Sequence, residues 1–326
     1  MLSRETWATV AHSNAFKLTA YVLSAIFIGA LVTPPLYWFG TSLFQSGALE
    51  GKSFLGVDLH DELRRAKLPR YLNRGMLFGA LVSLWPTIRW LGTSPKKFLR
   101  LEPNPHRFRQ MGIGFALAAG GLLLLGWGIY AGGVFGPHPN PNPLVEVLFA
   151  ALFAALCVAF LEEFFFRGCV LGLALETSST RTAMIFTALF FAAVHFLKPP
   201  EHLPMPDPVT WTSGFWLVGQ IFAQFGNPMF ILAEFITLTL VGFILGYARL
   251  QTRSLWLAIG LHAGWVFGIK AYGGLTRRSM GLEETLPWIG KDLKSGLAAV
   301  LVVGITGALV WWWLPRTSNR RQLAGS

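Results

Sequence analysis

Charged residues are scarce in this sequence. They make up 13% of the 326 residues, whereas a soluble domain typically contains about 25%. Hydrophobic residues make up 53%, and the mean hydropathy is +0.50. A chain with so few charges cannot cover most of its surface with groups that favour water. The composition therefore excludes an ordinary soluble globular protein and predicts a chain that lies in lipid.

Cysteine is also scarce, with only Cys157 and Cys169 in one apolar region. Their spacing excludes a CxxC metal site, and a single pair does not make a disulfide framework. The 27 Lys and Arg residues outnumber the 16 Asp and Glu residues, for a net charge of +11. The basic residues lie between apolar segments and form no continuous stripe, which favours a membrane protein over a nucleic-acid-binding one. We expect no nucleic-acid partner.

Long windows without charge predict an all-α, polytopic membrane protein with about eight transmembrane helices, since a spanning helix needs about 20 apolar residues. Pro86 and Arg89 interrupt one of these windows. The apolar stretch 211–225 is expected to be a re-entrant or surface helix. The eight windows are residues 18–39, 75–91, 111–134, 144–175, 182–197, 230–247, 254–269 and 296–314.

The distribution of Lys and Arg predicts the orientation in the membrane, because basic loops stay on the cytoplasmic side. The connection 135–143 has no charge and is therefore placed outside. Successive loops should alternate between the two sides of the membrane, which places loop 41–74 outside as well. This loop carries six basic and four acidic residues, so it disagrees with that placement unless it forms a surface helix. Alternation places both termini in the cytoplasm, and the protein in the inner (plasma) membrane if it is bacterial. The basic cluster that orients the third window is Lys96, Lys97, Arg100, Arg107 and Arg109.

We single out six ionisable residues inside the predicted spans, where a charge is costly and usually serves a function. Glu163 and Arg167 are four residues apart and are expected to pair on one helical face. Glu162 lies about 100° around the helix from Glu163 and faces elsewhere. The structural alternative is a buried network in which both glutamates balance Arg167. The six residues are Glu162, Glu163, Arg167, His195, Glu234 and His262.

The next span carries Phe191 one turn before His195. An α-helix rises roughly 1.5 Å per residue, so residues equally far along the chain from a turn lie at equal depth. If the two helices reverse at residues 177–180, the residue numbers of two facing side chains add up to about 357. Glu162 should therefore face His195. His262 stands among small residues that allow close backbone approach, namely Gly260, Ala263 and Gly264.

A carboxylate beside histidines in a dry cavity can activate water, with Glu162 as general base and an imidazole to orient the water or stabilise an oxyanion. This chemistry favours hydrolysis of an acyl bond. The sequence has no His-Glu-x-x-His zinc pair, no Asp inside a predicted span and no Gly-x-Ser-x-Gly elbow. Cys169 as a thiol nucleophile is the less favoured alternative.

The run Glu162-Glu163-x-x-x-Arg167, then Phe191-x-x-x-His195, then His262 resembles the three-motif signature of the CPBP family. This family comprises CAAX proteases and bacteriocin-processing enzymes and is also called ABI or Rce1-like. The resemblance covers about residues 144–270 and implies a bundle of about eight membrane helices around a water-filled cavity. Eukaryotic members remove the terminal tripeptide from prenylated CAAX proteins.

The resemblance implies that Glu162 activates the water, His195 positions it and His262 helps to stabilise the oxyanion. Glu163, Arg167 and Phe191 match supporting positions. The family's third motif commonly has Asn or Asp four residues after the histidine, where this chain has Val266. Trp265, a backbone N–H or a water must then supply that hydrogen bond, or catalysis is impaired.

The family has been described both as metalloproteases and as glutamate-dependent proteases. We expect no cofactor, because Arg167 occupies Glu163 and opposes a nearby cation. The alternative is a zinc site with Glu162, His195 and His262 as ligands.

The sequence therefore predicts an intramembrane endopeptidase of the CAAX-protease type, whose partners are the lipid bilayer and a membrane-bound or lipidated peptide or protein substrate. One alternative is a proton-coupled carrier in which Glu162, Glu163 and His195 relay protons. The other is an impaired family member that binds hydrophobic tails. Within one membrane domain we distinguish N-terminal helices and a basic loop (1–140), a catalytic core (141–275), and a last helix with a basic tail (276–326).

Overall fold

A computed structural model describes residues 14–54, 57–91, 103–197, 205–223 and 228–323. Within these ranges the chain is almost entirely helical, so the predicted all-α class is confirmed. In chain order the elements are α1 (Asn14–Gln45), β1 (Ser53–Phe54), β2 (Val57–Asp58), α2 (Leu59–Arg64), α3 (Leu68–Leu91), α4 (Arg107–Ala131), β3 (Phe135–Pro137), α5 (Leu144–Glu163), a π-helical segment (Phe164–Val170), α6 (Leu171–Thr177), α7 (Thr180–His195), α8 (Ser213–Ala223), α9 (Pro228–Thr252), α10 (Trp256–Leu275), β4 (Thr276–Arg278), α11 (Leu282–Thr285) and α12 (Leu297–Leu323).

Several helices are long and apolar enough to cross a membrane, as expected for a multi-pass membrane protein. The other predicted windows also fold as helices, in α3, α7 and α10, but each is shorter or more polar. Helix α7 has 16 residues, or about 24 Å, which is less than the hydrocarbon thickness of about 30 Å. Among the described residues, the five candidate spans are Thr19–Gln45, Arg107–Ala131, Leu144–Glu176, Leu232–Thr252 and Leu297–Leu314.

Helix α8 falls within the apolar stretch 211–225 and has 11 residues. At about 1.5 Å per residue this helix is too short to cross the hydrocarbon. This agrees with the expectation that the stretch is not a span.

The contacts divide the chain into two compact units. The first is Met1–Lys97 with His195–Asn227, and the second is Phe98–Val194 with Pro228–Ser326. In the first unit α1 packs along α3, and α8 packs against α1. The division into segments 1–140, 141–275 and 276–326 stays a prediction.

In loop 41–74 the helix α2 has only six residues, none of which is buried. The position of this loop relative to the membrane stays a prediction. Its basic residues pair locally with acidic ones. Arg65 lies 2.5 Å from Asp61, and Arg70 lies 2.6 Å from Glu62. A hydrogen bond from Arg64 lowers the pKa of Asp61 and keeps this carboxylate charged. Such pairing neutralises these basic side chains locally but leaves the net positive charge of the loop unchanged.

The cytoplasmic location of both termini stays a prediction. Lys96, Lys97 and Arg100, on which it partly rests, lie outside the described residues.

Helix α10 is the most enclosed helix of the second unit, packed against α4 along one face and against α5 along another. The α4 face is lined by glycines: a Cβ atom at Gly260 would overlap the carbonyl oxygen of Met111, and one at Gly264 would lie 2.5 Å from the carbonyl oxygen of Phe115. The predicted close backbone approach is confirmed. Because protein surrounds α10, it needs less hydropathy than a helix that faces lipid.

Replacing Gly260 by Ala is expected to lower the melting temperature and the folded yield in detergent. The added methyl group meets backbone of α4, and overpacking of this kind costs about 1–3 kcal/mol. The matched control is Gly273→Ala in the same helix, where the new Cβ atom meets nothing within 4 Å. Equal melting temperatures for the two variants would contradict this account of the α4–α10 contact.

Candidate active site

The two adjacent glutamates stand where α5 passes into the π-helical segment Phe164–Val170. A π-helical turn inserts an extra residue into the hydrogen-bond pattern and often marks a functional site. Its residues Phe166, Arg167, Gly168, Cys169 and Val170 are all buried. No hydrophobic periodicity in the sequence signals this turn.

Glu163 is the centre of a buried charged group. Its Oε1 atom accepts a hydrogen bond from Nη1 of Arg167 at 2.8 Å and lies 2.7 Å from Nδ1 of His262. The side chains of Glu163 and Arg167 are both 0% exposed. The predicted pairing of Glu163 with Arg167 is therefore present. A buried ion pair needs such additional hydrogen bonds to offset the loss of hydration.

Two neighbours hold the Arg167 guanidinium from other directions. The guanidinium carbon lies 4.3 Å from the ring centroid of Phe191 in α7, a cation–π contact. Nη2 donates a long hydrogen bond, 3.4 Å, to the carbonyl oxygen of Gly242 in α9. The Phe191 ring also lies edge-on to the His262 ring, with centroids 6.0 Å apart. Phe191 thus contacts both partners of Glu163, which agrees with a supporting position.

The contact with Glu163 determines how His262 presents its ring. An ionised carboxylate can only accept hydrogen bonds, so Nδ1 of His262 carries the hydrogen and donates it to Glu163. Nε2 then points to the other side, where it lies 3.8 Å from Oε2 of Glu162. A carboxylate on one ring nitrogen orients an imidazole and sets which nitrogen is left for chemistry.

Glu162 has different surroundings from its neighbour. Its side chain is 31% exposed, whereas that of Glu163 is fully buried. The separation of 3.8 Å between Glu162 and Nε2 of His262 is too long for a direct hydrogen bond, but one bound oxygen atom can contact both groups. One carboxylate is enclosed and ion-paired. The other has a partly exposed side chain, but its Oε2 atom, which faces the imidazole nitrogen, is itself buried. The two carboxylates thus differ in their surroundings, while their roles stay a prediction.

His195 is the last residue of α7 and is half-buried. The predicted reversal is confirmed, because α6 ends at Thr177 and α7 begins at Thr180. Two straight α-helices would place Glu162 and His195 at equal depth, but the π-helical segment changes the register on one side. The meeting of Glu162 with His195 stays a prediction.

Two further ionisable residues have partners that the sequence did not indicate. Glu234 forms an ion pair with Lys294, which favours the structural reading of this glutamate. Arg249 is buried and donates from Nε to the carbonyl oxygen of Arg167 at 3.1 Å. It therefore stabilises the π-helical segment at Arg167. Arg249 lies just after the predicted window 230–247, so a search for ionisable residues inside the windows could not find it.

Within the part of the chain that the structure describes, no group of three or more His, Cys, Asp or Glu side chains is arranged to hold a metal ion. Zinc in proteins takes three or four protein ligands. Near Glu163 the two groups that could ligate a metal are Glu162 and Nε2 of His262, since Nδ1 is bonded to Glu163. These residues alone do not complete a zinc site.

Residues 144–268 match the family model of type II CAAX prenyl endopeptidases, Rce1-like. This segment is therefore similar to an Rce1-like domain. The comparison with curated proteins yields no match. The matched segment contains α5 to α9, the π-helical segment and most of α10, and with them every residue of the charged group around Glu163. At the level of the family, the match supports a CAAX-type intramembrane protease, and the apolar helices support a multi-pass membrane protein.

Proposed function

We propose that this protein is an endopeptidase that hydrolyses a peptide bond near the membrane-embedded or lipidated end of its substrate, with Glu162 as general base. One observation carries the proposal. Of two adjacent carboxylates, Glu163 is fully buried and bonded to Arg167 and His262, while Glu162 is partly exposed and faces Nε2 of His262. A carboxylate placed beside an imidazole can take a proton from water and direct its attack.

In the proposed reaction Glu162 accepts a proton from a water molecule while the water oxygen bonds to the carbonyl carbon of the substrate. The π electrons of the C=O bond move to oxygen, which becomes an oxyanion. The tetrahedral intermediate then collapses: the C–N bond breaks, and the proton held by Glu162 passes to the leaving amine. The new carboxylic acid releases its own proton to solvent, so the enzyme returns to its starting state.

His262 supports this reaction through its fixed orientation. Glu163 holds Nδ1 at 2.7 Å, so Nε2 stays on the side of Glu162. When protonated, Nε2 donates a hydrogen bond to the oxyanion, and Glu163 stabilises the imidazolium. His195 positions the attacking water in this proposal, on the basis of its sequence spacing from Glu162.

The mechanism we favour uses no metal ion. Arg167 places a permanent positive charge on the far side of Glu163, and a second cation beside this group would be repelled. The substrate partner is a peptide or protein with a lipid chain or a membrane segment near its carboxyl end, presented from the lipid bilayer.

The test is cleavage of lipidated and unlipidated C-terminal peptides by the detergent-purified protein, with and without a zinc chelator. We expect product from the lipidated peptides, at the same rate with chelator. Loss of activity with chelator, restored by added zinc, would contradict the metal-free mechanism. Absence of product from all peptides, including longer membrane-anchored substrates, would contradict the proposed function.

A further inference from the structure

Trp265 in α10 has a buried donor that the charged group does not use. The residue is 4% exposed. Among the described residues, its Nε1–H is one of the buried polar groups without a hydrogen-bond partner. The indole nitrogen can only donate, so unlike a hydroxyl it cannot turn back and accept. Buried donors are rarely left unpaired in native proteins, and such a group often has a functional explanation.

The faces of α10 place this indole on the side of the candidate site. Gly260 and Gly264 define the face that meets α4, and Ile259 and Ala263 pack with residues of α5. Trp265 lies about 100° from Gly264 and about 160° from Ala263 around the helix, so it belongs to neither face. It lies one turn after His262, about 60° around the helix, on the side where His262 contacts Glu163 and Phe191.

We propose that the Nε1–H group of Trp265 donates a hydrogen bond to the carbonyl oxygen of the scissile peptide bond. This rests on the proposed function of Glu162. When the water oxygen bonds to the carbonyl carbon, the π electron pair moves to oxygen, and the hydrogen bond to that oxygen strengthens. A fixed donor in a site shielded from water stabilises the charge without reorganising. The substrate carbonyl thus supplies the acceptor that the indole lacks among the described residues.

This role is chemically distinct from that of His262. The imidazole donates from Nε2 only when it is protonated, whereas the indole N–H is a donor at every pH at which the protein is folded. Trp265 therefore provides a stabilising contact that does not depend on the ionisation of the histidine.

The test is Trp265→Phe, which keeps an aromatic ring and removes the donor. We expect kcat to fall about 10²-fold, the usual effect of removing one oxyanion donor, with little change in KM. The matched control is Trp256→Phe in the same helix, whose ring packs against Phe108 and Phe160 away from His262. It should retain the wild-type kcat.

Binding of two uncleavable ligands separates the lost hydrogen bond from altered packing. A peptide aldehyde, whose hydrate resembles the tetrahedral intermediate, should bind Trp265→Phe more weakly by about the same 10²-fold factor. A peptide with CH₂–NH in place of the scissile amide has no carbonyl oxygen and should bind both proteins equally. If Trp265→Phe does not fold, benzothienylalanine incorporated at position 265 keeps the shape and replaces N–H by sulfur.

Wild-type kcat in either variant at position 265 would overturn the role of Trp265 and leave the role of Glu162 intact. Equal weakening of the aldehyde and the CH₂–NH peptide would overturn it as well, since packing would then explain the loss. If the wild-type protein neither cleaves peptides nor binds the aldehyde, the proposed function fails, and the role of Trp265 fails with it.

Discussion

Replacement of Glu162 by Gln abolishes peptide hydrolysis while the protein stays folded: this is the largest effect that we expect on activity. The amide has the shape of the carboxylate but cannot accept a proton from water. Loss of a general base typically lowers the rate by about 10²–10⁴-fold. The side chain is partly exposed, and the buried ion pair of Arg167 is formed with Glu163, so the melting temperature should change little. The measurement is kcat for a lipidated peptide at saturating concentration.

The matched control for this prediction is Glu146→Gln, the same substitution in the first turn of the same helix, at an exposed position. It should cleave at the wild-type rate. Hydrolysis by Glu162→Gln at the rate of the control would contradict the general-base role.

The same pair of proteins distinguishes the two alternatives to a protease. A proton-coupled carrier would show no hydrolysis in the wild type, and Glu162→Gln would alter its pH-driven uptake into vesicles. A binding protein without catalytic activity would bind lipidated peptides in both forms and cleave in neither.

Replacement of Arg167 by Ala should have the largest effect on folding. Arg167 and Glu163 are both fully buried and bonded to each other. Removing one partner of a buried ion pair leaves an uncompensated charge and costs about 3–5 kcal/mol, a large part of a typical stability of about 5–15 kcal/mol. The variant also loses the contact with the Phe191 ring. We expect a lower folded yield, a lower melting temperature and reduced hydrolysis.

Two further variants show whether the ion pair causes this loss. Arg181→Ala changes an exposed arginine in the first turn of α7 and should behave as wild type. The double variant Glu163→Gln with Arg167→Ala removes the buried negative charge and should recover part of the lost melting temperature. It should not recover the activity, because a neutral amide at position 163 orients His262 less firmly than the carboxylate does. Wild-type yield and activity for Arg167→Ala alone would contradict the proposed role of the pair.

Several features of this protein could be predicted from short-range patterns. Charge-free windows identified the helical segments because the cost of burying a charge in lipid is large enough to be visible in composition. The spacing of Glu163 and Arg167 predicted their pairing, since side chains four residues apart lie on one helical face. The small residues around His262 predicted the close approach of α10 to another helix, because two backbones can meet only where side chains are small.

Other features depend on contacts between residues far apart in the chain. His262 lies 99 positions after Glu163, and their contact at 2.7 Å depends on how α10 packs against α5. The π-helical segment has no periodic signal, and the buried Arg249 of α9 bonds to a carbonyl within it. The carboxylate that holds His262 could therefore not be predicted from the sequence.

The sequence by itself thus determined the membrane class, the helical segments, the glycine contact of α10 and the ion pair within one helix. Each follows from hydropathy or from the geometry of a single helix. The tertiary structure decided which carboxylate holds His262, the direction of Nε2 towards Glu162 and the burial of the Trp265 indole. Those three depend on the depth and rotation at which separate helices pack, and these are set by the summed contacts along their length.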